Sequence, residues 1–308
     1  MKIVFMGTSA FAVPSLRGLV ESRHEVAAVF TRPDKPAGRG RRLRASPVKE
    51  AAVELGLPVF QPERIADAEG RRALEEATPD LCVVAAYGEI LPRAILEIPR
   101  LGCMNIHASL LPKYRGADPI RRAIMAGEMQ TGVTIMWMSE GLDEGDVIMQ
   151  QTLQIGPEED YGSLHDRLAV VGAQALLESL EALERREAPR TPQDDSSATF
   201  APPLKAEEKK ILWEASAEEI HNLVRALNPA PGAYCLWKGK RLKVWKVEKT
   251  FSAKGIPGTI VEIGPLGAII ASGQGGVRLL ELQPEGRNHI SGTEFVRGYR
   301  PVVGELIE

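Results

Sequence analysis

The chain has 308 residues, 44% of them apolar and 26% charged, with a formal net charge of −3. Those proportions exclude a collagen-like repeat, a generally disordered chain and a protein built of long membrane spans, while the length favours two domains over one. Cys82, Cys103 and Cys235 are far apart, odd in number and free of any Cys-x-x-Cys pair, which argues against a zinc site or disulfide framework and fits a reducing cytoplasm.

The apolar run at 3–6 stops at Gly7, too short for the core of a signal peptide, and reads as a first strand. Gly7-Thr8-Ser9-Ala10-Phe11 can open a helix whose terminus faces an anion or polar ligand. It is not Gly-x-Gly-x-x-Gly, and no acidic residue closes a second strand, so a dinucleotide site is disfavoured. Further apolar runs at 26–30, 81–86 and 104–106 alternate with amphipathic or turn-rich stretches. This predicts the α/β class, a doubly wound, mostly parallel sheet of Rossmann-like type.

Residues 32–49 are rich in Pro, Gly, Arg and Lys and offer no core face. They form either a solvated loop or a basic finger laid on phosphates. A β-rich run at 131–138 leads into the acidic, glycine-flanked turn Gly141-Leu142-Asp143-Glu144-Gly145-Asp146 and a further apolar run at 147–149. The spacing of Leu164, Leu168, Leu176, Leu177 and Leu180 predicts a long helix over 163–183 that closes the first domain. The Pro-rich polar stretch that follows has little to bury. The expected organisation is a catalytic domain at 1–188, a linker at 189–205 and a second domain at 206–308.

In that second part a helix is expected at 217–227, then five short strands at 233–237, 242–247, 259–263, 268–271 and 277–282, with glycines in the gaps. Such a pattern suggests a small β-barrel of the OB-like kind, a β-sandwich being the alternative. From Leu204 onward there are 15 Lys plus Arg against 12 Asp plus Glu, a balance of +3 that leaves −6 for the rest. Lys240, Arg241, Lys243 and Lys246 crowd one hairpin beside Trp237 and Trp245. Alternating basic and apolar residues mean either a strand with a solvated face or a surface for nucleic acid.

The chemistry centres on Cys103-Met104-Asn105-Ile106-His107. In an extended segment successive side chains alternate faces, so Asn105 and His107 project together while Met104 and Ile106 pack behind. An amide and an imidazole so placed suit polarising a carbonyl.

The segment Tyr87-Gly88-Glu89-Ile90-Leu91-Pro92, then Asn105-Ile106-His107-Ala108-Ser109-Leu110-Leu111-Pro112-Lys113-Tyr114-Arg115-Gly116, then Leu142-Asp143-Glu144-Gly145-Asp146 closely resembles the folate-dependent formyltransferases. The match extends to 30–40 and to Leu227-Asn228-Pro229, and thus over almost the whole chain. The resemblance implies 10-formyltetrahydrofolate as donor, no metal, and as acceptor the α-amine of initiator methionyl-tRNA, bound by a monomer. It assigns Asn105, His107 and Asp143 to catalysis, with Asp143 pairing with His107 and helping to take the proton of the attacking amine. It places Ser109, Leu110, Leu111 and Pro112 against the folate, with 87–92 as a further wall; the lesser alternative for Leu110 and Leu111 is core. It sets Arg39 on the acceptor stem, with Arg41 and Arg42 adding attraction to the phosphates. Two readings stay open beside it: a relative that formylates an amino-sugar nucleotide, and a noncatalytic RNA-binding protein.

Overall fold

The computed structural model describes residues 1–37 and 42–308. Contacts divide the chain into two compact units. Unit 1 comprises Met1–Pro119, Gln130–Gln154 and His165–Ala201; unit 2 comprises Ile120–Met129, Ile155–Leu164 and Pro202–Glu308. A single break read from composition does not describe this interleaving, since the two early segments, which bury Ile120, Ala123, Ile124, Ile155 and Leu164, lie far from the rest of unit 2 in sequence and are also tied to it by polar contacts. Arg225 Nη1 donates to the Glu159 carbonyl at 3.0 Å, and Gly162 N to that of Asn228 at 3.2 Å.

In chain order the first elements are β1 (Lys2–Gly7), α1 (Val13–Glu21), β2 (Glu25–Phe30), β3 (Lys35–Ala37), β4 (Arg42–Arg44), α2 (Pro47–Glu54), β5 (Val59–Phe60), α3 (Ala68–Ala77), β6 (Leu81–Ala85), α4 (Arg93–Leu96), β7 (Cys103–His107), α5 (Pro119–Met125), β8 (Gln130–Trp137), β9 (Val147–Gln154) and α6 (Tyr161–Glu184). Seven strands form a sheet in the order β5-β2-β1-β6-β7-β8-β9, parallel from β5 to β7 and antiparallel at β8 and β9. Ile3, Val4, Phe5 and Met6 of β1 are all buried, as expected of a strand covered on both faces. The predicted long helix is present as α6, with Leu164, Leu168, Leu176 and Leu180 fully buried and Leu177 half-buried.

The chain order reverses between β1 and β6, one run of strands going out to β5 and the other to β7. In open α/β sheets ligands bind beyond the carboxyl ends of strands at such a point. Here those ends are tied together, Thr8 Oγ1 donating to the Tyr87 carbonyl at 2.7 Å. Gly7 must be small, since an added Cβ would lie 2.9 Å from Ala12 Cβ.

Unit 2 carries α7 (Ala217–Ala226), β10 (Ala233–Trp237), β11 (Lys240–Thr250), β12 (Ile260–Gly264), β13 (Gly267–Ala271), β14 (Gly276–Pro284), β15 (Ile290–Ser291) and α8 (Gly292–Tyr299). The antiparallel order is β10-β11-β14-β13-β12, with β15 on β14. The last residues bridge the two edges. Ile260 N donates to the Glu305 carbonyl at 2.9 Å on one side, and Glu308 N to the Leu236 carbonyl at 2.8 Å on the other. This single sheet, closed by the chain's last segment around Ile220, Val244, Leu279 and Phe295, is a barrel and not a pair of stacked sheets. No helix among the described residues is long and apolar enough to cross a membrane.

One polar contact within unit 2 has a testable weight. Glu208 accepts from both terminal guanidinium nitrogens of Arg122, at 2.5 and 3.0 Å, and from the Lys205 amide at 2.7 Å. The Arg122 bonds, then the Lys205 amide, pull its carboxyl down to about 2. A carboxylate depressed by folding stabilises fully above its unfolded pKa of about 4.5, and that stabilisation is lost as pH falls toward the folded value. Glu208→Gln is therefore expected to lower the unfolding free energy at pH 7 by about 1 kcal/mol, a figure reduced for the side chain's partial exposure. Denaturant titrations should show the variant and the parent converging as the pH drops below 4.5.

Candidate active site

β7 lies parallel to β6, with Val84 opposite Asn105, and antiparallel to β8, with Met136 opposite Asn105 and Thr134 opposite His107. Met104 and Ile106 are buried. α6 seals the face that Ile106 occupies: a Cβ added at Gly172 would sit 3.0 Å from Ile106 Cγ2. Asn105 and His107 thus share the opposite face. Asn105 is half-buried and His107 is buried.

Asp143 reaches them from the turn between β8 and β9. Its φ of +50° is a left-handed conformation that Asp tolerates better than most residues. The turn also requires Gly145, where any side chain would overlap the Trp137 carbonyl. Asp143 Oδ2 accepts from Gly116 N at 2.8 Å and lies 3.5 Å from His107 Nδ1, while Oδ1 lies 3.5 Å from Asn105 Nδ2. His107 Nε2 is 2.9 Å from the Tyr114 carbonyl, which can only accept. Nε2 is therefore the donor there, and Nδ1 is the nitrogen that faces the carboxylate. Gly116 has a φ of +121°, and a Cβ there would come within 2.9 Å of the Ala201 carbonyl oxygen.

The run from Ser109 to Pro112 follows β7 directly. Ser109 is buried and its hydroxyl donates to the Lys113 carbonyl at 2.6 Å, so that group is spent inside the loop. Leu111 is buried, and Leu110 and Pro112 are half-buried. Thr134 anchors the loop: its hydroxyl donates to the Ser109 carbonyl at 2.7 Å and accepts from Leu111 N at 3.1 Å and Gln150 Nε2 at 3.0 Å. Gln150 also donates to the Leu111 carbonyl at 2.8 Å. Glu89, near the Tyr87 wall, pairs with Arg32 at 2.6 Å and accepts from Ile65 N at 3.1 Å. The Tyr87 phenol is buried, and that burial pushes its pKa up.

Of the predicted basic residues, Arg39 and Arg41 lie outside the described residues, and Arg42 is described only as the first backbone position of β4. Lys240, Arg241, Lys243 and Lys246 all fall on β11 of unit 2. Lys240, Arg241 and Lys246 are exposed, with Arg241 resting 4.1 Å over the Tyr234 ring. Lys243 is more committed, donating to the Pro231 carbonyl at 2.7 Å beside Trp245.

Sequence reasoning did not single out Thr134, Gln150, Arg115 or Gln193 as parts of the site. Thr134 and Gln150 sit in register positions opposite one another on β8 and β9. The period-two pattern marks such positions as strand but carries no sign that they hold a loop elsewhere. Gln193 sits in a stretch that composition reads as spacer.

Comparison with known proteins gives the fold and site a context. Residues 1–180 match the family model described as formyl transferase, and residues 203–300 match the formyl transferase C-terminal domain. The chain belongs to the formyl transferase family. Within it, the chain is 50% identical over 308 residues to the methionyl-tRNA formyltransferase of Moorella thermoacetica, covering 100% of this chain and 99% of that one. It is likewise 50% identical over 310 residues to the methionyl-tRNA formyltransferase of Carboxydothermus hydrogenoformans, at 100% of both. The family fold recurs in the N-formyltransferase of Helicobacter canadensis, solved with folinic acid and dTDP-3-aminofucose (TM-score 0.69, 19% identity, 92% of this chain and 99% of that one). It also recurs in HypX from Aquifex aeolicus in complex with tetrahydrofolic acid (TM-score 0.67, 21% identity), where it covers 97% of this chain but only 48% of the HypX chain.

Proposed function

We propose that this formyl transferase carries the formyl group of 10-formyltetrahydrofolate to the α-amino group of initiator methionyl-tRNA. The observation that carries this reading is the meeting of Asn105, His107 and Asp143, with the carboxylate 3.5 Å from each partner, at the carboxyl end of β7. It meets there in a chain matched end to end by methionyl-tRNA formyltransferases.

The chemistry follows from the side chains. An amine adding to a formyl carbon builds a tetrahedral oxyanion, which is stabilised by N–H donors fixed before the charge develops. Asn105 Nδ2 is a donor of that kind, held by β7; His107, its Nε2 committed to the Tyr114 carbonyl, turns Nδ1 toward Asp143 and fixes that carboxylate beside the amide. The amine must also lose a proton, and Asp143 is the acceptor beside them, directly or through one water; as the intermediate collapses the bond from the formyl carbon to the folate nitrogen breaks, and that nitrogen leaves with the proton returned to it. Ser109 to Pro112 present backbone and apolar edges to the pterin, with Leu110 and Pro112 the members not already buried. The domains at 1–188 and 206–308 divide the work, the first doing chemistry and the second, with Arg39, Arg41 and Arg42, gripping RNA.

The rival acceptor, an amino-sugar nucleotide, is supported by a shared fold at 18–20% identity with sugar N-formyltransferases. The exposed Lys240, Arg241 and Lys246 favour RNA, since a nucleotide sugar offers too few phosphates to need them. Incubating the protein with labelled donor and either methionyl-tRNA or an amino-sugar nucleotide separates the two; label in the sugar alone would reject the proposal. Binding supplies a further check. The logarithm of tRNA affinity should fall linearly with log salt, and removing Lys240 and Lys246 together should make that slope shallower by about 1 to 2. A slope that does not change would remove β11 from the RNA surface.

A further inference from the structure

The segment after α6 buries little apolar surface, yet it is tied along unit 1 by hydrogen bonds. Val147 and Thr191 exchange backbone bonds at 2.8 and 3.0 Å. Two residues further on, Gln193 Nε2 donates to the carbonyls of Asp143 and Gly145, each at 2.8 Å. Its Oε1 accepts from Arg115 Nε at 3.1 Å and Nη2 at 2.9 Å. A guanidinium has only donors and the two carbonyls are only acceptors, so the amide fits in one orientation alone. Arg115 is itself buried, and its Nη2 also reaches Asp195 Oδ1 at 2.7 Å. Beyond it Arg115 N donates to the Thr199 carbonyl and Ala201 N to the Arg115 carbonyl, at 2.8 and 2.7 Å.

Both ends of this arrangement act on one residue. Gly116, next to Arg115, holds the Asp143 carboxylate at 2.8 Å, while Gln193 holds the Asp143 main chain. A φ of +50° is a sparsely populated conformation for a residue with a side chain and persists where its surroundings hold it, and carboxylate placement within about 0.5 Å matters for proton transfer. We infer that Gln193 is a positioning residue for the reaction: its amide clamps the turn that carries Asp143, Arg115 fixes that amide, and the carboxylate is thereby aimed between Asn105 and His107. The inference rests on the assignment of Asp143 as proton acceptor.

Gln193→Leu keeps the volume and loses all of these bonds. With the full-length protein, kcat for formyl transfer to methionyl-tRNA is expected to fall by about tenfold or more, with KM for both substrates within about threefold. A role in general folding would lower activity as well, so the deciding measurement is a cycle with Asp143→Asn. In that background Gln193→Leu is expected to change kcat by less than about twofold, because the group it aims is already gone. Equal losses in both backgrounds overturn the positioning role. If the Leu variant does not fold, Gln193→Glu is measured in the same cycle and judged by the same outcomes; it keeps the Arg115 contact and sets an acceptor against two carbonyls. Wild-type kcat in Asp143→Asn alone would instead overturn the reading of Asp143, and the inference with it, before any Gln193 variant is made.

Discussion

Truncating Asn105 to Ala is expected to lower kcat for formyl transfer by about 10²- to 10³-fold, the cost typical of losing one fixed donor to a tetrahedral oxyanion. The affinity for methionyl-tRNA should stay within about twofold of the parent if, as proposed, basic residues such as those of β11 and not this amide supply most of the binding. The structure makes the separation clean. Asn105 is half-buried on the open face of β7, and its neighbours Met104 and Ile106, which fill the other face, are untouched. Thermal unfolding should therefore change little. Rapid-quench measurement of product together with filter binding of the tRNA gives both quantities on one preparation. Proportionate loss of rate and affinity would contradict a role confined to the transition state.

Asp143→Asn is expected to be at least as damaging, about 10²- to 10⁴-fold in kcat, the range spanned by a well-placed proton acceptor. Removal of the charge is one cause and geometry the other. The carboxylate serves Gly116 N through Oδ2 and faces Asn105 Nδ2 with Oδ1. An amide has one acceptor for these two donors. If its oxygen keeps Gly116, its NH2 is turned on the Asn105 NH2, and the reverse orientation opposes it to the Gly116 N–H. The turn itself should persist, because Asn adopts φ near +50° as readily as Asp. A rate loss accompanied by an unchanged circular dichroism spectrum and melting temperature would support the role; near-parental kcat would reject it.

Much of this architecture is legible in the residues. The pairing of Asn105 with His107 needs only the alternation of a strand, and β7 extends to include both. The glycine-flanked acidic turn is likewise readable as a turn, since Gly145 admits no side chain. The choice between barrel and sandwich is not readable from strand spacing. It is decided by Ile260–Glu305 and Leu236–Glu308 backbone bonds, in which side-chain character plays no part. The stretch 189–201 hides its role for the same reason. It contributes polar contacts at Thr191, Gln193 and Thr199 instead of apolar burial, and composition registers only the absence of the latter. The short strand β5 is missed because two residues cannot show a period.

The close seat of Gly172 against Ile106 has a further implication for how such a catalyst can diversify. Two members of the trio stand on a strand that a helix backs without slack, so any bulk added behind it would shift both together and spoil their shared aim. The third stands on a loop held by hydrogen bonds, among them those of Gln193 to its main chain and of Gly116 N to its carboxylate. Retuning toward a new acceptor is thus easiest through that loop and its tethers, with the strand serving as a fixed rule against which each trial is measured.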